Sequence, residues 1–179
     1  MCVPNCIHYQ ITSEMYEQAI DDQKMMAKQK GEENPTTLVL NKEMNIIGSL
    51  AQNAVINQIR DWGIDVMTGQ YFDSESHNDE YDFLYSGFRC DVQGSTMKPG
   101  MDNVFPGTNY LFKNQKKYKP MDYYVPCSVS LSQMVVHMPG VVSYTDLWEN
   151  YGVEVEYKIP SHMIAAKELR SLRWFIFRV

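Results

Sequence analysis

Apolar positions change their period along the chain, and each change marks an element. The segment "IIGSLAQNAVINQIRDWGID" sets Leu50, Ala54, Val55, Ile59 and Trp62 on one face at helical spacing, and Gly63 is placed to end that helix. Upstream, "ITSEMYEQAIDDQKMMAKQKG" predicts a helix that opens near Thr12 or Ser13 and closes at Gly31. Its stripe is Met15, Tyr16, Ala19, Gln23 and Met26. Between the two, "GEENPTTLVLNKEMN" reads as a turn-rich connector broken at Asn34-Pro35.

Beyond Val66 the period shortens to that of strands. A short strand is expected from Val66, then the polar loop "SESHNDE", then a hairpin in "YDFLYSGFRCDVQGST". "NYLFK" and "DYYVPCSVSL" are further strands, and Pro126 assigns the second an edge or bulge position. "SYTDLWENYG" and "PSHMIAAKELRSL" read as short helices, and "RWFIFRV" as a closing strand. Helices first and antiparallel strands afterwards predict an α+β fold rather than a doubly wound parallel sheet. A chain of 179 residues is long enough for one domain, 1–179, with its own core.

The hairpin carries the chemistry. With Ser86-Gly87 as a two-residue loop, Tyr85 pairs with Phe88, Leu84 with Arg89, Phe83 with Cys90 and Asp82 with Asp91. The two carboxylates would then face each other with Cβ atoms about 5 Å apart. Gln93 would share their face, because strand side chains alternate. Like charges in that position destabilise a sheet unless a cation lies between them. A hard divalent ion suits carboxylate oxygens, and metal-assisted hydrolysis of a phosphodiester is the matching chemistry. The plainer reading is a pair of solvated aspartates on an exposed sheet face.

Charge and cysteine content narrow this only a little. A net charge of −6 argues against nucleic-acid binding by bulk electrostatics, yet "LFKNQKKYK" gathers Lys113, Lys116, Lys117 and Lys119 into one basic stretch. A solvated loop is the competing reading of that stretch. No apolar run is long enough to span a membrane. The start "MCVPNCIHYQ" lacks the order of a secretory signal, so an intracellular, cytoplasmic protein is expected. Cys2, Cys6, Cys90 and Cys127 are too sparse for a disulfide scaffold. Cys2, Cys6 and His8 can be read as three zinc ligands lacking a fourth, and four cysteines kept reduced is the preferred reading. His137 and His162 have no partner at ligand spacing in the sequence.

Taken together, these residues resemble the PD-(D/E)XK nuclease superfamily, and in particular its small phage-type members. "NIIGSLAQNAVINQIRDWGIDV" looks like the family's first helix, "YDFLYSGFRCDVQGST" like its two acidic strands, and "MDYYVPCSVSL" like its Tyr-rich strand. The resemblance spans roughly Asn45 to Trp148 and implies a restriction-endonuclease-like core, a mixed central sheet flanked by helices. Carried over, Asp82 matches the first metal-binding aspartate and Asp91 the acidic residue before x-Lys, with the Val92 carbonyl completing the metal shell. Gln93 stands where the family has lysine, and Gln52 where the preceding helix supplies glutamate. Gln93 can hold a water by hydrogen bonding but brings no charge.

The resemblance implies Mg2+ (or Mn2+) as cofactor and DNA as partner, and leaves a homodimer open. Lys113, Lys116 and Lys117 are the implied nucleic-acid contacts, and Lys98 or Lys113 could reach in to replace the missing lysine. His77 is a candidate base at the mouth of the site. Tyr118, Tyr123 and Tyr124 are candidates for stacking on bases, although strand alternation assigns Tyr123 or Tyr124 to the core. The alternatives to a working deoxyribonuclease are a nuclease fold that binds nucleic acid or protein without cutting, and a phage structural or accessory protein.

Overall fold

The computed structural model describes residues 3–29, 35–68, 81–98, 100–118, 121–156 and 159–178. Ten strands and three α-helices follow one another among them. The strands are β1 (Ile7–Gln10), β2 (Met67–Thr68), β3 (Phe83–Tyr85), β4 (Phe88–Thr96), β5 (Asn109–Lys113), β6 (Tyr123–Ser130), β7 (Val135–Met138), β8 (Val142–Ser143), β9 (Val153–Val155) and β10 (Ser161–Ala165). The helices are α1 (Ser13–Gln29), α2 (Pro35–Asp61) and α3 (Leu172–Arg178).

A seven-stranded mixed sheet runs in the order β1-β7-β6-β4-β3-β2, with β8 also paired to β6. Only β4 and β6 are parallel in it, in register from Cys90 with Tyr123 to Thr96 with Val129. A second sheet, β5-β10-β9, is antiparallel. The α+β class expected from the sequence is what the chain adopts.

Alternation along β4 and β6 divides the core in two. Phe83, Cys90, Val92, Val125 and Cys127 share a cluster with Ile47, Leu50, Ala51, Ala54 and Val55 of α2. Each fully buried Leu or Ile contributes about 1.5–3 kcal/mol, so this stripe fixes α2 on the sheet. On the other face Tyr124, Met121 and Val142 pack with Tyr110, Phe112, Leu147, Trp148 and Ile164, joining the second sheet to the first. Gly94 lets α2 approach closely, because a Cβ there would lie 2.7 Å from the Ile47 carbonyl oxygen.

Several expectations hold. The first helix starts at Ser13, the second ends before Gly63, whose φ of 78° favours glycine, and strands form at Met67, Asn109 and Tyr123. Four others need correction. The supposed connector after Pro35 is the first part of α2; proline suits a helix's first turn, where its absent N–H would have no partner anyway. Pro126 lies in an interior strand, but between the residues paired to β8 (Tyr123, Tyr124) and those paired to β7 (Ser128 to Ser130). The missing donor thus falls in a local gap of the ladder. Ser161–Ala165 is a strand, held between β5 and β9, rather than a helix. "RWFIFRV" is largely helical, because Leu172, Phe175 and Ile176 at helical spacing all reach the core.

Candidate functional site

The hairpin closes as its sequence dictates. Ser86 and Gly87 both have positive φ, 51° and 84°, the tight turn that matches strand twist. Tyr85 pairs with Phe88, Leu84 with Arg89 and Phe83 with Cys90, in the expected register. Phe83 and Cys90 point to the α2 side, so the neighbouring positions 82 and 91 belong to the opposite face.

The fourth expected pair, Asp82 with Asp91, does not form as a ladder pair. The Asp82 amide donates to the Cys90 carbonyl at 2.9 Å, which turns the chain out of register. Its carboxylate Oδ2 then accepts the Val92 amide at 2.5 Å. A side-chain oxygen thus stands where a strand carbonyl would have continued the ladder. This removes the like-charge opposition that the regular register would have imposed.

Asp91 has a cationic partner. Lys116, on the 3-10 turn Asn114–Tyr118 that follows β5, donates its Nζ to Asp91 Oδ2. The side chains are 34% and 21% exposed, so the pair is half-sheltered from solvent. Sequence reading assigned Lys116 to nucleic-acid contact and sought a replacement lysine at Lys98 or Lys113. Lys113 is exposed and Lys98 lines a different cleft. The signal for Lys116 was the lysine run directly after strand "NYLFK". Which lysine turns inward depends on how β5 lies over β4, and one strand's pattern does not contain that.

Gln93 ties the two sheets together. Its Nε2 donates to the Leu111 carbonyl of β5 at 2.5 Å, while its buried Oε1 has no hydrogen-bond partner among the described residues. Gln52 is 6% exposed, on α2, and therefore on the face of the sheet away from Asp91 and Gln93. The structure pairs Asp82 with Val92 and Asp91 with Lys116, sets Gln93 against Leu111, and leaves Gln52 on the far face. Lys117 is exposed beside them. Tyr124 is wholly buried against Phe112 and Trp148, and Tyr123 is half-buried between Phe88 and Phe175, so neither ring is a free stacking platform. His77 and the side chain of Tyr118 lie outside the described residues.

The electrostatics confirm a shared locality. Burial pushes the Cys90 thiol far above its ordinary value, and Asp122, Asp82 and Asp91 add to that rise. Burial also raises the Tyr124 phenol, with the Asp91 charge contributing. Asp122 itself accepts the Arg89 amide at 2.7 Å, with the Arg89 Nε 3.6 Å away. Carboxylate oxygens are the donors a hard divalent ion prefers, but among the described residues these three aspartates do not converge closely enough to form one ligand group.

A cleft of about 430 Å³ opens at the other end of β4, lined by Ser95, Thr96, Lys98, Tyr110 and Ser128 among others. It is apart from the carboxylates and contains none of the expected site residues except Lys98. Among the described residues no helix is long and apolar enough to cross a membrane. Comparison with protein-family models, curated proteins and solved structures finds no match for this chain.

Proposed function

We propose that the chain is a Mg2+-dependent (or Mn2+-dependent) deoxyribonuclease with a rearranged PD-(D/E)XK-like site, built on a restriction-endonuclease-like core. The observation that carries this reading is the Asp91–Lys116 pair on the same sheet face as Asp82. It supplies from the turn after β5 the lysine that position 93 lacks. The order of elements supports the same reading: α2, then Asp82 directly before β3, then β4 with Asp91-Val92-Gln93, then the Tyr-rich β6 parallel to β4.

Asp82 and Asp91 have the hard oxygen ligands that Mg2+ prefers, and the Val92 carbonyl leaves β4 from the same edge as its amide, toward Asp82. When bound, the ion would lower the pKa of a coordinated water and offset charge developing on the phosphate. Lys116 adds a second positive charge at the scissile phosphate once it exchanges Asp91 for substrate. Gln93, its amide committed to Leu111, keeps Oε1 as a spare acceptor that would orient a water only once substrate binding uncovers it. Lys113 and Lys117, both exposed, would contact the DNA backbone. Gln52 has no part in this arrangement.

A second reading rests on the same contacts. Asp82 already satisfies Val92 and Asp91 already neutralises Lys116, so the hairpin is self-sufficient as architecture and suits a nuclease fold that binds without cutting. Plasmid and linear DNA incubated with Mg2+ or Mn2+ separate the two. The nuclease reading expects cleavage that Asp91→Ala abolishes and that Lys116→Ala slows by about 100-fold or more. A folded parent chain that binds DNA and leaves it intact with either ion overturns it in favour of the second.

A further inference from the structure

The antiparallel pairing of β1 with β7 sets His8 directly opposite His137. Their Nδ1 atoms are 2.8 Å apart and the rings meet edge to face, with centroids 4.8 Å apart. Two imidazole nitrogens at that distance cannot both present lone pairs unless a proton or a cation lies between them. Cys6 stands two residues before His8 and so projects to the same face. One ligand atom from each of Cys6, His8 and His137 lies within 4.8 Å of the others.

That face is the one away from the helices. Val136 and Met138 point into the α2-side core, leaving His137 between them on the other side, and Cys6 packs against the second cluster. β7 is separated from β4 by β6, on which His137 faces Ser128 and Asp91 faces Tyr124, so the group lies two strands across and four residues along the sheet from Asp91. The two groups are chemically distinct. One offers carboxylate oxygens, the other a sulfur and two ring nitrogens.

We propose that Cys6, His8 and His137 form a zinc site that fastens the edge strand β1 to β7. A thiolate with two imidazoles matches the donor preference of Zn2+ and not that of Mg2+. Bonds of about 2.0–2.1 Å to nitrogen and 2.3 Å to sulfur give tetrahedral ligand separations of about 3.4–3.6 Å, so closure needs the imidazoles to part by about half an ångström. His137 is only 2% exposed and its Nε2 has no hydrogen-bond partner among the described residues. The ring's one polar contact among the described residues is therefore Nδ1 with His8, the position the ion would take. Exposed His8 and half-buried Cys6 leave the fourth coordination position facing solvent. Sequence reading reached Cys6 and His8 but lacked this ligand, because His137 arrives from the facing strand. Cys2 lies outside the described residues, and the three ligands stand without it.

The test is a Co2+ titration of the full, chelator-stripped chain in excess Mg2+, which occupies oxygen sites without competing for a thiolate. One equivalent of Co2+ should bind with a sulfur-to-cobalt charge-transfer band and intense tetrahedral ligand-field bands, and Zn2+ should displace it. Cys6→Ser should remove the charge-transfer band. His8→Ala, at an exposed position that leaves folding intact by circular dichroism, should weaken Zn2+ binding by about 100-fold or more. No charge-transfer band from the parent chain, an undiminished band in Cys6→Ser, or parental affinity in His8→Ala would each overturn the assignment.

Discussion

At Gly94 the helix layer and strand β4 of the hairpin come into close contact. Gly94→Ala would place a Cβ 2.7 Å from the Ile47 carbonyl oxygen, 3.0 Å from the Ala51 Cβ and 3.1 Å from the Ile47 carbonyl carbon. Two of these neighbours are backbone atoms in the middle of α2, so no side-chain rotation relieves the clash. Unstrained carbon contacts lie at about 3.5–4.0 Å, and the helix must therefore retreat by about half an ångström or more. Overpacking of this kind costs about 1–3 kcal/mol. Loss of glycine's freedom in the unfolded chain returns about 0.4–1 kcal/mol. The net is a destabilisation of about 1–2 kcal/mol, a fall in Tm of about 2–8 °C for a chain of this size.

Gly48 supplies a control on the same helix, since a Cβ there meets nothing within 4 Å. Gly48→Ala should stabilise α2 by up to about 1 kcal/mol, raising Tm by about 2–4 °C. Thermal unfolding of both variants and the parent, followed by circular dichroism in one buffer, gives two shifts of opposite sign. A Gly94→Ala chain that melts at or above the parent would refute the close packing of α2 on β4. So would two variants that move together.

Two further outcomes follow from the site and the second core. A double-mutant cycle on Asp91→Ala and Lys116→Ala, read by urea unfolding, should return a coupling of about 0.5–1 kcal/mol, because the pair is partly screened by solvent; zero coupling would place the two side chains apart. His162 is 7% exposed, its ring 4.7 Å from Trp148 and its Nδ1 2.9 Å from Asn114 Oδ1. Burial, reinforced by Lys117 and opposed by Glu154, holds its pKa below the ordinary histidine value. The unfolded chain therefore binds the proton first, and the stabilisation present above the ordinary value is lost as pH falls through it. The slope is bounded by about 1.4 kcal/mol per pH unit. Urea midpoints from about pH 8 to pH 5 should fall less steeply in His162→Gln than in the parent, and equal slopes would refute the assignment.

What the sequence made legible was local. The Ser86-Gly87 turn fixed three pairs of the hairpin, because turn type and strand twist constrain register within a few residues. The α2 stripe was readable because five apolar residues at helical spacing have one physical use. The failures are non-local. "PSHMIAAKELRSL" has no strand signal of its own; Ser161 to Met163 become strand residues because β5 and β9 offer edges on both sides, and Ile164 continues along β5. "RWFIFRV" is apolar enough for either element, and the depth of the core under Phe175 decides it. Gln52 looked like a site residue only while the sheet's two faces were not yet distinguished.

The two aspartates that look equivalent in the sequence have different jobs in the fold. Asp82 terminates a ladder: its carboxylate replaces a missing carbonyl at Val92, and a neutral acceptor of the same shape would serve that purpose. Asp91 accepts no backbone amide among the described residues. Its partner is a charge carried on a turn from the second sheet, so its setting is electrostatic and depends on how β5 crosses β4 through Gln93 and Leu111. On the proposed reading this asymmetry divides the labour: Asp91, whose Oδ2 holds Lys116, would offer Oδ1 to a cation, and Lys116 would stay within side-chain reach of a phosphate bound there. Gln93 suits such a site better than a lysine would, because a third cation beside Asp91 would compete with both.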